Sequence, residues 1–347
     1  MMPGVGLERL IDRPVFLAQK PGSEKVGLMD VLSDVLRVVK LEGVLFFHGE
    51  FSAPWCVTTR PTALARYLSP DAGQVIVYHF LTEGEAYAEL PDGRRVELNA
   101  GDIVVFPHGD DHDLGNGSAK AVDSLTTFGA NLSEGLKVAR FGGGGDVTKF
   151  VCGFMACERH FGSVLLSGLP PILKVRVVKE ESDQWLARSI RYSVDDVHGS
   201  LAGGKLVQAK LAELLFVETI RRYINDLPEG EVGWLAGTRD SIVGHALSLM
   251  HQNPSHPWTI SELARQVGLS RSRLADRFRH YLGESPMAYL ALWRLKLGAE
   301  SLQNTSDSVA EIAMSVGYGS EAAFNRAFKR HFDSPPAHFR RLRKGMA

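Results

Sequence analysis

The chain has 347 residues, of which 44% are hydrophobic, and its formal net charge at pH 7 is −1. This length and composition suit two globular domains, and no run approaches the roughly 18 apolar residues that a membrane-spanning helix requires. Three cysteines are too few for a disulfide framework, and the charged N-terminus (MMPGVGLERLIDR) is unlike a signal peptide. We therefore expect a cytoplasmic protein with reduced cysteines and no membrane partner.

From about residue 44 to residue 127 the sequence predicts short β-strands. Six β-rich runs occur there, and the turn-forming sequences PDG, NAGD and PHGDD lie between them. The runs are VLFFHGEF, QVIVYHFLT, AYAEL, RRVEL, DIVVF and AVDSLTTF. Many short strands at this spacing are typical of a sandwich or a small barrel.

One segment of this region has the spacing of a known barrel. In GDIVVFPHGDDHDLGN, five residues follow the second cupin signature: Gly101, Pro107, Gly109, His112 and Asn116. The first half of the chain therefore resembles the cupin barrel, and in particular the cupin sensor domain found before AraC-type DNA-binding tails. The resemblance implies a β-barrel whose interior is the place for a ligand.

The cupin resemblance also identifies a candidate metal site. His79 and Glu85 stand where cupins have their first histidine and their glutamate, whereas Leu81 occupies the place of the second histidine. With His112 they could form a two-histidine, one-carboxylate site, which is typical of oxygenases. The alternative is a barrel that kept its turn geometry and lost its metal. We favour this alternative and expect no cofactor, because one of four ligands is missing.

We expect a small-molecule effector of unknown identity to occupy the barrel interior, where ligands of small barrels bind. The candidate lining residues are aromatic or histidine side chains of the predicted strands and turns. They are Trp55, His79, Phe80, Phe106, His108 and His112.

Between the barrel and the C-terminal tail, the sequence predicts a strand, a long helix and a linker. KFVCGFMACER alternates aromatic and sulfur-containing residues, as a buried strand does. A helix over residues 204–225 has an apolar face formed by Leu206, Leu211, Leu214, Leu215 and Ile220. It could pair two copies in a homodimer or pack on its own barrel, and the family resemblance favours dimerisation or packing next to it. Residues 226–239 are glycine-rich, acidic and contain proline, which is typical of an interdomain linker.

The last ninety residues contain the same pattern twice. WTISELARQVGLSRSRLADRF begins at Trp258, and SVAEIAMSVGYGSEAAFNRAF begins at Ser308. The first halves align at an offset of 49 residues and the second halves at an offset of 50, because the second copy has one extra turn residue, Gly319. A repeat this close indicates one structural unit used twice.

Each copy predicts two helices joined by a tight turn. In the first copy, Gly268 ends a short amphipathic helix, and Ser270 caps the next. That second helix buries Leu274 and Phe278 and exposes several basic residues. The equivalent residues of the second copy are Gly317, Ser320, Phe324 and Phe328. A basic helix after a glycine-containing turn is the helix-turn-helix arrangement, which lays its second helix in the DNA major groove.

The distribution of charge favours DNA binding over two ordinary amphipathic helix pairs. Residues 258–347 carry a formal charge of +6 and the rest of the chain −7, as expected when one region must lie against phosphates. Between the copies, a helix without a breaker runs from Pro286 to about Gln303 and spans roughly 25 Å. It could hold the two recognition helices about one DNA turn apart.

The region from about Asp240 to Arg343 resembles the AraC/XylS-type transcription regulators. The resemblance is carried by PWTISELA, VGLSRSRLADRF, SPMAYLALWRLKLG, VAEIAMSVGYGSEAAFNRAFKRHF and SPPAHFR. It implies that the base-facing positions are Ser272, Ala275, Asp276, Ala322, Asn325 and Arg326. The candidate DNA-binding residues are Ser270, Arg271, Ser272, Arg273, Asp276 and Arg277 in the first unit, and Ser320, Glu321, Ala322, Asn325, Arg326 and Lys329 in the second.

Asp276 departs from the family pattern, because a basic residue is common at its position. Its carboxylate could accept a hydrogen bond from a cytosine amine or pair with a neighbouring arginine, and we favour the pairing. Arg271, Arg273 or Arg277 could then take over its contact with DNA.

The sequence as a whole predicts an α+β multidomain protein. Residues 1–225 form a cupin-like β-barrel with helices, for ligand sensing and dimerisation, and residues 226–239 form the linker. Residues 240–347 form an all-α DNA-binding domain with helix-turn-helix units at about 260–281 and 308–332.

The predicted function is an AraC-type transcription regulator, not an enzyme, controlled by a small-molecule effector. Its expected partners are double-stranded DNA, the effector and a second copy of the chain, with RNA polymerase as a further candidate. The alternative is a metal-dependent cupin enzyme fused to a DNA-targeting domain. A constitutive architectural DNA-binding protein is disfavoured, because more than half of the chain would then have no task.

Overall fold

The structure is a computed structural model, and it describes residues 31–39, 41–68, 74–133, 138–157, 166, 168–177, 185, 188–189 and 203–344. The N-terminal sequence that argues against a signal peptide lies outside these residues. Among the described helices, none combines the length and the apolar character that crossing a lipid bilayer requires.

Two β-sheets form the N-terminal half of the chain. The strands are β1 (Glu42–Ser52), β2 (Trp55–Thr59), β3 (Gln74–Glu83), β4 (Glu85–Glu89), β5 (Arg95–Asn99), β6 (Asp102–Phe106), β7 (His112–Asn116), β8 (Val122–Asp123), β9 (Val138–Gly142), β10 (Val147–Cys157) and β11 (Leu173–Arg176). One sheet has the order β11–β6–β3–β10–β1–β9, and the other has the order β5–β4–β7–β2–β8. Buried residues from both sheets form one cluster, so the sheets enclose a common core. This confirms the cupin-like fold.

Five of the six predicted strand runs are confirmed, as is the later strand β10. The prediction for AVDSLTTF is wrong, because only Val122 and Asp123 are in strand β8 and a helix follows. The Asp123 carboxylate accepts a hydrogen bond from the backbone N–H of Thr126 at 2.9 Å, which satisfies one of the free donors at a helix start. Strands β2, β7, β9 and β11 were not predicted, and β7 (HDLGN) in particular has little β-propensity.

The side chains of β3 alternate between two cores, as the period of a strand requires. Val75, Val77 and Leu81 point between the two sheets. Ile76 and Tyr78 point to the opposite face, which is covered by helices. The helices of this half are α1 (Val31–Val39), α2 (Pro61–Leu68), α3 (Ser124–Ser133) and α4 (Gly204–Asp226).

The C-terminal half is helical, and its elements match the predicted repeat. The helices are α5 (Trp234–Arg239), α6 (Ser241–Gln252), α7 (Ile260–Gln266), α8 (Arg271–Leu282), α9 (Pro286–Asn304), α10 (Val309–Ser315), α11 (Glu321–Phe332) and α12 (Pro336–Lys344). Helix α9 joins the two units and buries aromatic and aliphatic side chains along its length. Ser285 caps it by accepting from the backbone N–H of Ala288, and proline stands at its first turn, where a missing N–H costs nothing.

The predicted linker, residues 226–239, is shorter in the structure, because its last six residues form helix α5. Trp234 and Leu235 are buried, and the indole N–H of Trp234 donates to the Tyr289 hydroxyl at 3.1 Å. The Arg239 guanidinium donates to the backbone carbonyls of Ile224 and Leu227. Helix α5 therefore belongs to the packed DNA-binding half and is joined to the end of α4.

Helix α1 contacts the DNA-binding half directly, against α6 and α9. The Asp34 carboxylate lies 3.6 Å from Nδ1 of His251 in α6. The His251 ring stacks on Trp293 with ring centres 4.0 Å apart, and its Nε2 hydrogen-bonds with the Tyr289 hydroxyl at 2.8 Å. Burial lowers the pKa of His251, and Asp34 opposes this shift. The barrel-side helix α1 and the DNA-binding half thus share one buried contact.

Candidate nucleic-acid interface and barrel cavity

The first helix-turn-helix unit, α7 and α8, has the predicted turn and cap. Gly268 has a φ of 71°, a left-handed conformation that glycine adopts without steric cost. The Ser270 hydroxyl accepts a hydrogen bond from the backbone N–H of Arg273 at 3.4 Å. Leu274 and Phe278 are fully buried, so the opposite face of α8 is turned to solvent.

The six predicted DNA-binding residues of this unit are all exposed: Ser270, Arg271, Ser272, Arg273, Asp276 and Arg277. Arg271 and Arg273 form no ion pair with any residue that the structure describes. Ala275 is only 9% exposed, so little of its side chain is accessible on this face, and its role as a base-facing residue stays a prediction.

Asp276 pairs with an arginine, as favoured from the sequence. Its carboxylate accepts from the Arg279 guanidinium at 3.0 Å, and both side chains are largely exposed. An exposed pair of this kind contributes little stability. Whether Asp276 also contacts a base stays a prediction.

Arg277, predicted to bind DNA, donates from two nitrogens to the Asp240 carboxylate. The same carboxylate caps α6 by accepting from the backbone N–H groups of Ile242 and Val243. Burial opposes the charge of Asp240, but the hydrogen bonds from Arg277 and Val243 outweigh it and lower the pKa of Asp240. The two-point contact fixes α8 against α6, and it occupies the guanidinium that the sequence assigned to DNA.

The second unit, α10 and α11, repeats the turn with a stronger first cap. Ser308 and Glu311 form a reciprocal capping box, and Gly317 has a φ of 89°. The Ser320 hydroxyl accepts from the backbone N–H of Ala323 at 3.2 Å. The inward residues Phe324 and Phe328 are fully buried.

Helix α11 presents its predicted DNA-binding residues on one open face. Glu321, Ala322, Arg326 and Lys329 are exposed. Asn325 is half-buried, and its amide donates to the Glu321 carboxylate at 3.4 Å, a long hydrogen bond. Arg326 and Lys329 have no ion-pair partner among the residues described. Both cations are therefore available to bind phosphate or base atoms of DNA.

In the barrel, two buried histidines and a cysteine form a hydrogen-bonded chain. His79 Nε2 lies 2.8 Å from His112 Nε2, and His79 Nδ1 lies 2.6 Å from the Cys152 sulfur. His112 Nδ1 lies 2.8 Å from the carbonyl oxygen of Asp110, which can only accept. His112 therefore donates from Nδ1 and accepts at Nε2, so His79 donates from Nε2 and accepts the thiol proton of Cys152 at Nδ1.

The imidazoles of His79 and His112 are neutral at physiological pH. Burial lowers the pKa of His112 to about 4, and burial together with the neighbouring His112 lowers the pKa of His79 well below its usual value. Burial also raises the pKa of the Cys152 thiol. Phe106 stacks on His112 with ring centres 3.6 Å apart, which adds an apolar cover to the pair.

The structure does not bring the candidate metal ligands His79, Glu85 and His112 together. The Glu85 side chain is exposed on the first residue of β4, whereas both histidines are buried. No cluster of three histidine, cysteine or carboxylate side chains suited to a metal occurs among the described residues. The backbone carbonyl of Glu85 instead accepts from the side chains of Asn116 and Thr148. Asn116 of the cupin signature thus connects the end of β7 to the start of β4 through a side-chain hydrogen bond.

A cavity of about 30 Å³ lies between the sheets next to these histidines. Its lining residues are Phe47, Phe51, Val57, Thr59, Leu64, His79, Leu114, Ser124, Phe128, Phe150 and Cys152.

Of the six predicted lining residues, only His79 borders this cavity. Trp55 is buried behind it against Phe51 and Phe150. The other four predicted residues lie farther from the cavity wall or outside the barrel core.

Phe106 and His112 are buried and stack on each other, and neither lines the cavity. His112 is connected to the cavity wall through its hydrogen bond to His79. Phe80 points to the helix-covered face of the six-stranded sheet, because its position in β3 has the opposite parity to His79. His108 is exposed in a turn, where its Nε2 bonds to the carbonyl of Leu169 at 3.0 Å.

The sequence reasoning missed Cys152 and the phenylalanines that line the cavity. Cys152 pairs with His79 across β3 and β10, so the two side chains point to the same side. The alternation of KFVCGFMACER contained this signal, because Phe150, Cys152 and Phe154 share one parity. Phe128 could not be found this way, since its segment was assigned to a strand.

Comparisons with known proteins agree with this architecture. A family described as cupin matches residues 30–225, and a helix-turn-helix domain family matches residues 263–342. A putative AraC-like transcription regulator of Streptomyces antibioticus is 32% identical over 316 residues, which are 90% of this chain and 99% of that protein. The HTH-type transcriptional regulator AlkR of Acinetobacter baylyi is 27% identical over 317 residues, 90% of this chain and 99% of that protein.

Among solved structures, a transcriptional regulator with an AraC-type DNA-binding domain from Chromobacterium violaceum is 33% identical. The match covers 31% of this chain and 96% of the Chromobacterium violaceum chain, with a TM-score of 0.30. The relatives matched over nearly their whole length are named as transcription regulators. The chain therefore belongs to the AraC-type transcription regulators, with an N-terminal cupin domain and a C-terminal helix-turn-helix DNA-binding domain.

Proposed function

We propose that this protein is a sequence-specific transcription regulator that reads two adjacent half-sites and responds to an effector in its barrel. The observation that carries the proposal is the pair of capped recognition helices, α8 and α11. Each is anchored by buried side chains on one face and presents unpaired cations on the other. Helix α9 has 19 residues and spans about 28 Å, which suits two helices in successive major grooves.

The second recognition helix supplies the base contacts in this proposal. Arginine recognises guanine through two hydrogen bonds, and asparagine recognises adenine in the same way, so Arg326 and Asn325 are suited to direct readout. Lys329, Arg271 and Arg273 are suited to phosphate contacts, which give affinity without sequence preference.

Effector control is supported by the buried contact between α1 and the DNA-binding half. A ligand that favours one arrangement of the barrel would change the geometry of α1 and hence the population of DNA-competent states. Asp34 and His251 are the groups at this contact. The effector site is the cavity between the sheets.

A homodimer is part of the proposal, and helix α4 is its interface. Leu206, Val207 and Leu214 are 64%, 50% and 39% exposed on the face of α4 away from the barrel. The three side chains lie within about 100° of one another around the helix, so they form one apolar strip. We expect a second copy of this chain to cover it.

A catalytic role is not part of the proposal, and the exposed Glu85 weakens the alternative of a metal-dependent cupin enzyme. The relatives' names describe regulators. RNA polymerase is the natural further partner of a DNA-bound regulator, and the cytoplasm is the corresponding location.

The test selects binding sites for the full chain from random duplexes and then measures affinity across salt concentrations. We expect two enriched half-sites about 10 base pairs apart, with affinity falling steeply as salt rises. In the double variant Asn325→Ala/Arg326→Ala, one half-site should lose its enrichment. Binding without any preferred sequence would refute the proposed readout.

A further inference from the structure

The cavity between the barrel sheets has an apolar wall with few polar groups. Seven of its lining residues are hydrophobic: Phe47, Phe51, Val57, Leu64, Leu114, Phe128 and Phe150. The other four are Thr59, His79, Ser124 and Cys152. No lysine, arginine, aspartate or glutamate within the described ranges lines the cavity.

Two of the four polar side chains are already engaged with each other. His79 uses both ring nitrogens, one toward His112 and one toward Cys152. Cys152 donates its thiol proton to His79, and this series of hydrogen bonds ends at the carbonyl oxygen of Asp110. Neither histidine retains a free donor or a charge for a ligand. The hydroxyls of Thr59 and Ser124 are therefore the polar groups that remain.

The residues that carry these two hydroxyls directly follow a pair of residues in hydrogen-bonded strands. Thr58 pairs with Asp123 in the parallel strands β2 and β8, so the next residues along, Thr59 and Ser124, are neighbours. Both belong to the cavity wall. A ligand with one polar group would meet both hydroxyls there.

The Phe128 ring borders the cavity. It packs on Phe47 and Phe51, with ring centres 5.3 Å apart in each pair. An apolar cavity that binds benzene has about 150 Å³, whereas this one has about 30 Å³. Phe128 stands one turn after Ser124 on α3, so displacement of its ring would open the cavity beside the two hydroxyls.

We propose that the barrel binds an uncharged, largely apolar small molecule with one hydroxyl or carbonyl group, which displaces Phe128 and hydrogen-bonds to Thr59 and Ser124. This inference rests on the proposed effector control and names the chemical class of the effector. An anion or a cation would be buried here without a counter-charge, which is strongly unfavourable. A neutral ring or short chain replaces the contacts of Phe128 with similar ones.

The test titrates the full-length protein with toluene, phenol, benzoate and benzylamine by calorimetry, without DNA. We expect phenol to bind at least tenfold more tightly than benzoate or benzylammonium. Thr59→Val should weaken phenol binding about three- to tenfold and leave toluene binding unchanged, since one neutral hydrogen bond is lost. Phe128→Ala should strengthen toluene binding tenfold or more, because the space is then already open.

The matched control is Leu125→Ala, which shortens a half-buried side chain on the same helix that does not line the cavity. Its toluene affinity should equal that of the wild type. If Phe128→Ala does not fold, Phe128→Leu should give a smaller gain in toluene affinity. Benzoate or benzylammonium binding more tightly than phenol would overturn the proposal, and so would a folded Phe128→Ala protein with wild-type affinity.

A second measurement separates this inference from the proposed function. Operator affinity is measured by fluorescence anisotropy with and without saturating phenol. Binding of phenol with the predicted Thr59 and Phe128 dependence supports the cavity assignment even when operator affinity does not change, and such a result would refute effector control instead. A response of operator affinity to benzoate alone would refute the cavity assignment and keep effector control.

Discussion

The two helix-turn-helix units share one sequence pattern and differ in their neighbours. The first unit packs against α5 and α6, and α6 in turn contacts the barrel-side helix α1. Its Arg277 is bound to Asp240, the cap of α6. The second unit packs against α9 and α12, and Arg326 and Lys329 on its recognition helix have no ion-pair partner in the described part of the chain.

A repeat in sequence therefore does not imply equal roles for the two units. Arg326 and Lys329 occupy the positions of Asp276 and Arg279 in the first unit. Asp276 and Arg279 pair with each other, and Arg277 pairs with Asp240, whereas Arg326 and Lys329 have no such partner among the described residues. We infer that the first unit connects the barrel to DNA, whereas the second unit carries more of the base recognition.

The largest expected effect concerns the core that the two units have in common. Phe278→Ala and Phe328→Ala should each lower the free energy of unfolding by about 3–5 kcal/mol, because both rings are fully buried. Urea unfolding followed by circular dichroism measures this loss. Met314→Ala is the control, since that side chain is 59% exposed and its removal should change stability by less than about 0.5 kcal/mol. A fully stable Phe328→Ala protein would contradict the inward position of the ring.

The next effect distinguishes the arginines of the two units. Arg326→Ala or Asn325→Ala should cost about 1–3 kcal/mol at the matching half-site and relax its base preference. Arg277→Ala should leave base preference intact, because its guanidinium is bound to Asp240. Anisotropy titrations against the operator and its single-base variants measure both. If Arg277→Ala relaxes base preference as much as Arg326→Ala does, the contrast between the units is wrong.

A smaller effect depends on pH and concerns the first unit. Asp240→Asn should lower the free energy of unfolding at pH 7 by about 1 kcal/mol, since an ion pair that is exposed on the Arg277 side is partly screened. The pKa of Asp240 is lowered in the folded protein, so this stability is present above pH about 4 and is lost as pH falls through the folded-state pKa. The difference in free energy of unfolding between the wild type and Asp240→Asn should therefore be smaller at pH 3 than at pH 7, as unfolding curves at the two pH values measure.

The control for this prediction is Asp276→Asn in the same helix. Its pair with Arg279 is exposed on both sides, so the loss at pH 7 should stay below about 0.5 kcal/mol. Equal losses for the two variants would mean that the Asp240 contact does not hold α8 against α6.

The smallest effect concerns phosphate contacts of the second unit. Lys329→Ala should weaken binding evenly across sequences and reduce the slope of log affinity against log salt by about 1. The reason is that an exposed, unpaired ammonium displaces a counterion without reading a base. Titrations at several salt concentrations measure the slope. A loss confined to one base variant would assign Lys329 to direct readout instead.

Features that depend on neighbouring residues were predictable from the amino-acid sequence. The caps Ser270 and Ser320, the left-handed glycines Gly268 and Gly317, and the helices around them follow from local hydrogen bonding and side-chain periodicity. The strands of the barrel were predictable for the same reason wherever residues alternate. The cupin spacing predicted the fold of the first half correctly, because turn positions in a barrel are local.

Contacts between side chains that are distant in the chain depend on the tertiary packing. Asp240 and Arg277 are 37 residues apart in the chain, and His79 and Cys152 are 73 residues apart, so their contacts depend on packing and strand register that no local pattern encodes. The cupin spacing placed Glu85 among the metal candidates, yet its side chain lies outside the barrel. Phe128 enters the cavity because Asp123 starts a helix where the composition favoured a strand. Local chemistry specified the elements, and long-range packing chose which of their faces form a site.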